Sequence, residues 1–552
     1  MTEWLLSGQN TQESMTIARP LTATAVEANL NISVGWTLEE LAGDTSDFDE
    51  TLAPCAVVEG WTYLNISHFT RNAARVVPFD VASVGVPQEL APEMEKGPLG
   101  RKLGMPLRFY QLYQWADEFY RATLPGFTQD THRVYWEVRE ANGFDPALIW
   151  PIFEGDFAER LIPDARAHGV ASTLVTVLDG VIRQQAPALI DLFAGQATAT
   201  SLIGQGIWDL RQVAEGCGPD VVQYLRDGVT DLDAYADLPE AAPFVEGVRA
   251  FIHKYGHRGF RYELDFAAER LADHPEHILM AVANQLRESR SPHVRAEASK
   301  QRGKEALRAM NPISRGIWAR VLRWGQKLIA WREASKSYTS LHHALYGLVA
   351  HYLSERFYSR AAEPMLWYYT FEEFLEFGRS KGQQRVADAV LENRRAEFER
   401  EFSQQRPPDL IWYDPGKRHW RPALDESELD AGKEGAIRAP TRYEGIPACG
   451  GTGPVEGIAV VTNDPIEAGE RLLEMDDDVI LVTRLTDPAW SSLFARLSGV
   501  VTELGGVISH ASIVARENGL PAVVGVAGIT TWVRNGQRLR VDGATGEIEV
   551  LA

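Results

Sequence analysis

The chain of 552 residues concentrates its most chemically suggestive pattern around one histidine, His510. It stands in the run Thr502-Glu503-Leu504-Gly505-Gly506-Val507-Ile508-Ser509-His510-Ala511-Ser512-Ile513-Val514. The spacing predicts an apolar strand, a Gly505-Gly506 turn, and a helix that begins at or just after His510. Glycines let the backbone turn sharply and let another molecule approach closely. A histidine at a helix start lies beside unpaired backbone N–H groups and the positive end of the helix dipole. Such a place suits a phosphate. Ser509 and Ser512 add short hydroxyl donors. A neutral imidazole is also a competent nucleophile near neutral pH. A lone histidine is more often a cap or a core residue, and that plain reading stands here beside the phosphate-site reading.

A second constellation lies on Ser314 to Tyr338, SRGIWARVLRWGQKLIAWREASKSY. Taken as one helix, it gathers Ile317, Val321, Leu322, Leu328 and Ile329 on one face, with Trp318. Arg332 and Lys336 fall within that apolar sector, one turn apart. Buried charges need partners, so the pair should meet an anion, and a phosphoryl group fits. The plain alternative is a helix break near Trp331, or a pair that bridges structural carboxylates. A third cluster is Lys254-Tyr255-Gly256-His257-Arg258-Gly259-Phe260-Arg261-Tyr262-Glu263-Leu264-Asp265. Its glycines predict a tight loop after a helix over 241–255. His257 or a carboxylate there could take a proton from an acceptor. Pairing of Arg258 with Glu263 or Asp265 is the structural alternative. His253 and His257 are four apart, but no third ligand stands at a convincing spacing, and no metal site is expected.

These residues need elements to hold them. Helical periodicity runs over 107–124, 156–195, 205–226, 241–255, 279–291, 314–358 and 383–404, with one strand-like patch at Val57–Asn65. Residues 415–442 are rich in Pro, Gly and charge and read as a linker. Such a linker could span roughly 30 Å on average, at about 5–6 Å per square root of residue count. From 443 the pattern becomes short apolar runs between turns, GIAVVTN, DVILVTR, GVVTELGG, PAVVGV and RLRVDGATGEIEVL, with helices expected at 488–497 and 511–518. The fold class predicted is multidomain: a large, mainly α-helical domain over 1–414, a linker over 415–442 and a small α/β domain over 443–552.

Composition narrows the functional classes. The net charge of −21 argues against a broad nucleic-acid surface, which would need clustered positive charge. Cys55, Cys217 and Cys449 are far apart, so neither a disulfide framework nor a zinc knuckle is expected. The N-terminus has no basic start followed by an apolar run, and no stretch approaches about 18 uninterrupted apolar residues. A cytoplasmic enzyme or enzyme subunit, with no membrane partner, is the expectation.

The run from Thr502 to Gly525 resembles the swivelling phosphohistidine domain of the phosphoenolpyruvate-utilising enzymes. That group includes pyruvate phosphate dikinase, rifampin phosphotransferase and phenylphosphate synthase. The resemblance extends through Thr486-Asp487-Pro488-Ala489-Trp490 and Val541-Asp542-Gly543-Ala544-Thr545-Gly546, and covers roughly 443–552. It implies that His510 carries the phosphoryl group, with Gly505, Gly506, Ser509, Ser512 and Thr486 around it. Arg484 would lie with Thr486 on a neighbouring loop. The Arg332-Glu-x-x-Lys336 spacing and the 254–265 cluster resemble elements of the acceptor domain of rifampin phosphotransferase. Residues 13–22 loosely resemble the segment that opens that domain. The resemblance thus implies catalytic roles for Arg332, Lys336 and His257, and substrate contacts for Arg258, Glu263 and Asp265.

No glycine-rich nucleotide loop stands out in 1–250, and the chain ends just after the phosphohistidine-like segment. The family's usual phosphoenolpyruvate site is therefore not expected in this chain, and its ATP-grasp domain is expected on a separate polypeptide. The expectation is a dikinase-type phosphotransferase subunit, charged from ATP with release of AMP and phosphate. A separate ATP-grasp subunit would hold ATP and Mg²⁺. Resemblance to phenylphosphate synthase makes phenol or 4-methylphenol the first acceptor. A rifamycin-like acceptor, and a non-catalytic phosphocarrier, are the other readings.

Overall fold

The computed structural model describes residues 3–7, 18–59, 61–76, 93–96, 99–154, 156–193, 198–259, 263–286, 292–358, 364–403, 410–423, 441–506 and 509–551. Contacts divide the chain into two compact units that interleave along the sequence. One comprises Met1–Val177, Tyr262–Ala268 and Ala334–Lys433; the other comprises Leu178–Arg261, Glu269–Glu333 and Glu434–Ala552. The segment 443–552 thus shares a unit with much of the helical region that precedes it.

The first unit holds a five-stranded antiparallel sheet of β1 (Trp4–Ser7), β2 (Cys55–Val58), β3 (Trp61–Asn65), β4 (Leu410–Asp414) and β5 (His419–Pro422), in the order β2-β3-β1-β4-β5. The strand-like patch Val57–Asn65 is the β2–β3 hairpin. The predicted linker begins inside this sheet, as β5. Residues 424–440 of it lie outside the described residues, as do 13–17, and its last residue, Arg442, is in a strand of the second unit. Aromatic side chains fill the core: Phe153, Tyr346, Tyr368, Phe374 and Phe377 are all buried. Phe153 meets Phe374 edge-on at 5.1 Å and stacks on Tyr346 at 6.2 Å.

The second unit holds an eight-stranded sheet: β6 (Arg442–Glu444), β7 (Ile446–Cys449), β8 (Val455–Val461), β9 (Val479–Thr483), β10 (Gly499–Thr502), β11 (Ala522–Val524), β12 (Arg538–Asp542) and β13 (Glu547–Val550). The order is β6-β13-β12-β8-β9-β10-β11-β7, with β8 to β11 parallel. Parallel strands need crossovers. The helix Pro465–Glu474 links β8 to β9, and the helix His510–Asn518 links β10 to β11. Strand β9, VILVT, is buried at every position, as a strand covered on both faces should be.

The small α/β domain is as expected, and every apolar run named for it is a strand. The helix expected at 488–497 is only a 3₁₀ turn, Pro488–Ser492, capped by Asp487. The helix expected at 205–226 is broken at Gly218, which takes φ +124° ahead of Pro219. The helix over 314–358 forms as Pro312–Tyr358. Its first turns are exposed, however. Ile317, placed on the apolar face, is 59% exposed, and burial starts at Leu322. Among the described residues no helix is long and apolar enough to cross a membrane.

Candidate functional site

Strand β10 ends at Thr502, and Gly505 turns the chain with φ +113°. Ser509 then takes extended backbone (φ −63°, ψ 162°) and caps the helix that starts at His510. Its Oγ accepts from Ser512 N at 3.3 Å. Ser512 Oγ donates to Gly506 O at 2.7 Å, and Ser509 N donates to the same carbonyl at 3.0 Å. Gly505, Gly506, Ser509, His510 and Ser512 therefore form one closed motif. Residues 507–508 lie outside the described residues. His510 stands at the first helical position and is 3% exposed.

The loop after β9 reaches the same place. Leu504 N donates to Arg484 O at 2.8 Å. Thr486, two residues on, is buried, and among the described residues its Oγ1 has no hydrogen-bond partner. A buried hydroxyl without a partner is costly unless something else satisfies it. In the 3₁₀ turn that follows, Ser491 Oγ lies 3.4 Å from His510 Nε2. Ser491 was not singled out from sequence, although it directly follows Trp490 in the Thr486–Trp490 motif.

Helices of the same unit close over this domain. Arg295, on the helix Pro292–Ser299, donates to Leu497 O at 2.9 Å, Phe494 O at 3.0 Å and Ala495 O at 2.7 Å. Thr198 Oγ1 donates to Glu517 Oε2 at 2.9 Å, and Asn284 Nδ2 donates to Gly469 O at 3.1 Å. Gly519 ends the His510 helix with φ +61°, and a Cβ there would lie 2.4 Å from Arg295 O.

Arg332 is 16% exposed, and its Nη1 donates to Glu333 Oε1 at 2.7 Å. The anion expected for the basic pair is thus met, for Arg332, by the neighbouring carboxylate. Glu333 is itself buried and raises the pKa of Glu517, which burial already pushes well above the carboxylate range. Glu517 lies on the His510 helix, about 10 Å along its axis from His510. Lys336 is half-buried, one turn beyond Arg332.

His257 and Arg258 are buried in a loop whose backbone is fixed on both sides. Arg258 N donates to Tyr255 O, and Leu271 N donates to Arg258 O, each at 3.0 Å. Asp265, in the first unit, accepts from Thr22 Oγ1 at 2.8 Å and from Ala267 N at 3.0 Å. It works there as a clasp between two segments of that unit. Glu263 is fully buried. Gly347 lets this loop approach: a Cβ there would lie 2.0 Å from Phe266 O.

The first unit also holds chemistry that the sequence did not display. Asp164 is fully buried and accepts from Ser335 Oγ at 2.6 Å and Thr339 Oγ1 at 3.1 Å. Burial pushes its pKa up to about 7 against those two hydrogen bonds. Tyr120 OH lies 2.9 Å from Ser335 Oγ. In the same unit, a pocket of about 220 Å³ is lined by apolar groups such as Ala25, Ile32, Leu161 and Phe371, with Asn29, His343 and Arg379 as its polar members. His343 is oriented by Leu264 O, 2.7 Å from its Nδ1, and packs edge-on against Phe266 at 4.3 Å.

Two family models match the chain. Residues 475–546 match the mobile domain of PEP-utilising enzymes, and residues 165–333 match the fourth domain of rifampicin phosphotransferase. The chain therefore combines a segment of the mobile-domain type, which contains His510, with one of the rifampicin phosphotransferase type.

The relatives agree. The chain is 30% identical to rifampicin phosphotransferase of Streptomyces sviceus over 374 residues, 64% of this chain and 40% of the relative. It is 28% identical to that of Bacillus cereus, with the same coverage. Prodigiosin synthesizing transferase of Serratia marcescens is 26% identical over 56% of this chain and 34% of its own length. The chain spans about two fifths of the length of the rifampicin phosphotransferases it matches.

Proposed function

We propose that this chain carries a phosphoryl group on His510 and delivers it to the hydroxyl of a small phenolic acceptor, within an ATP-dependent phosphotransferase. The observation that carries the reading is the closed Gly505–Ser512 motif, with His510 at a helix start and Ser491 Oγ at 3.4 Å from Nε2. The helix start favours a phosphorylated imidazole through its N–H groups and dipole. The Thr486 hydroxyl, buried and without a hydrogen-bond partner among the described residues, fits a phosphoryl oxygen.

In the charging step the His510 imidazole attacks the β-phosphorus of ATP; the Pα–O–Pβ bond breaks as AMP leaves, and one water then cleaves the terminal phosphoryl group as phosphate, leaving a single phosphoryl group on His510. A separate ATP-grasp subunit would supply ATP and Mg²⁺. His510 is buried, so this step needs the domain to leave the helices that cover it. In the delivery step the acceptor oxygen bonds to phosphorus as the N–P bond breaks, and the hydroxyl proton goes to a base. Arg332 and Lys336 favour the phenolate, whose parent pKa is near 10. His257 is one candidate base, and the near-neutral Asp164 is another. A pocket of about 220 Å³ lies below the 300–1,000 Å³ usual for drug-sized ligands and supports a small acceptor.

The match to the rifampicin phosphotransferase fourth domain favours a second reading, with a rifamycin-type acceptor and the same carrier chemistry. One experiment separates them: ATP, Mg²⁺, the candidate ATP-grasp subunit and this chain, offered phenol, 4-methylphenol and rifampicin. The first reading predicts aryl phosphate, AMP and phosphate in equal amounts, all dependent on His510. Phosphorylated rifampicin with no aryl phosphate would replace it by the second. Aryl phosphate made at full rate by His510→Ala would overturn both.

A further inference from the structure

A different part of the second unit carries an arrangement that phosphoryl transfer does not use. The chain Glu269-Arg270-Leu271-Ala272-Asp273-His274-Pro275-Glu276-His277 makes one 3₁₀ turn, Leu271–Asp273, and then enters the helix Pro275–Gln285. His274 is the residue before the first helical turn, and Pro275 fixes the entry angle. The turn is held from behind. Ala272 N donates to Gly256 O at 3.0 Å, and Arg270 N donates to Asp273 Oδ2 at 2.9 Å.

This backbone brings three metal-ligating side chains together. His274 Nδ1 lies 2.8 Å from Glu276 Oε1, and His277 Nε2 lies 3.9 Å from that same oxygen. One ligand atom from each residue lies within 4.8 Å of the other two. Metal–ligand bonds of about 2.0–2.1 Å at tetrahedral angles require ligand atoms roughly 3.3 Å apart. Small side-chain rotations would reach that. The second nitrogen of His274 is also engaged: Nε2 lies 3.2 Å from Glu269 Oε2. A metal-bound histidine commonly has its outer N–H held by a carboxylate in this way, which fixes the ring and its tautomer. His274 and His277 are partly buried, at 26% and 13% exposure, so an ion here would keep an open side.

We propose that His274 Nδ1, Glu276 and His277 Nε2 bind one divalent transition-metal ion of the zinc class, with Glu269 orienting His274 from outside. Two imidazoles and a carboxylate select zinc, cobalt, nickel or copper over magnesium or calcium. The ion ties the 3₁₀ turn to the first turn of the helix Pro275–Gln285. The backbone bonds from that turn to Gly256 and Arg258 carry the same tie to the His257 loop. The ion is thus a structural clamp, and it does not depend on the phosphotransfer reading. The alternative is a protonated His274 held by two carboxylates with no metal.

The test uses the full chain, stripped with a chelator and titrated with Co²⁺. One equivalent of Co²⁺ should produce the visible absorption of a tetrahedral site, and Zn²⁺ should bleach it. His277→Gln and Glu276→Gln should each lose that absorption. Glu269→Gln should keep it with an affinity weakened about tenfold. Circular dichroism identical to the parent chain keeps a folding defect from being read as loss of a ligand. The proposal is overturned if the folded His277→Gln variant shows the same Co²⁺ spectrum and stoichiometry as the parent. It is equally overturned if the parent takes up no stoichiometric Co²⁺.

Discussion

The His510 motif and the Asp164 network are both buried polar sites, but they are built in opposite ways. Around His510 the structure is mostly local, a turn, a cap and the first turn of a helix within residues 502–512, joined by Ser491 from the loop after β9. Around Asp164 it is non-local and made by side chains: Ser335 and Thr339 reach an aspartate 171 and 175 residues away in sequence. The first site places His510 at a helix N-terminus, where backbone N–H groups and the dipole favour an anion. The second holds a carboxyl group near neutrality by burial. A carrier needs a fixed phosphate cradle, whereas an acceptor site needs a proton partner matched to its pH. The proposed function assigns the first of these needs to the His510 motif.

Arg332→Ala should lower delivery to the acceptor about 10²–10³-fold, and more than it lowers charging of His510. Quenched-flow separation of the two steps measures this. An equal effect on both would make Arg332 a structural residue whose role is to pair with Glu333.

On the stability side, Asp164→Asn should remove a pH dependence. The folded pKa lies above the unfolded value, so folded Asp164 binds a proton more readily than the unfolded chain does. Its contribution is fully present below about pH 4 and is lost as pH rises through about 7. The variant should flatten thermal stability between those limits, by an amount on the order of a few kcal/mol. An unchanged pH profile would mean that Asp164 is ionised in the folded protein.

Gly519→Ala probes the carrier side. The left-handed backbone and the 2.4 Å approach to Arg295 O should together cost about 2 kcal/mol. Denaturant unfolding reads it, and a neutral effect would show that the Arg295 helix yields. Ser509→Ala should cost least, about 1 kcal/mol, through loss of the helix cap.

The same contrast explains what was legible in the sequence. The His510 motif was readable because every residue in it lies within one short run. The strands of the C-terminal domain were readable for the same reason, as apolar runs between turns. Asp164 is spelled by no local pattern, since its partners are chosen by the packing of helices far apart in sequence. The face of the long helix misled for a related reason. Periodicity identifies an apolar stripe but not where along the helix a neighbour covers it, so Ile317 is exposed and Leu322 is not. Periodicity also placed Arg332 among apolar residues without indicating that the buried carboxylate beside it, Glu333, would be its partner.

The proposed transfer depends on phosphorylation of His510, and one measurement addresses it directly. The chain and the candidate ATP-grasp subunit are incubated with ATP labelled at the β-phosphate, and the labelled peptide is mapped by mass spectrometry. The predicted result is one acid-labile, alkali-stable label on His510, absent from His510→Ala and discharged when acceptor is added. Label on any other residue, or label retained by His510→Ala, would contradict the account.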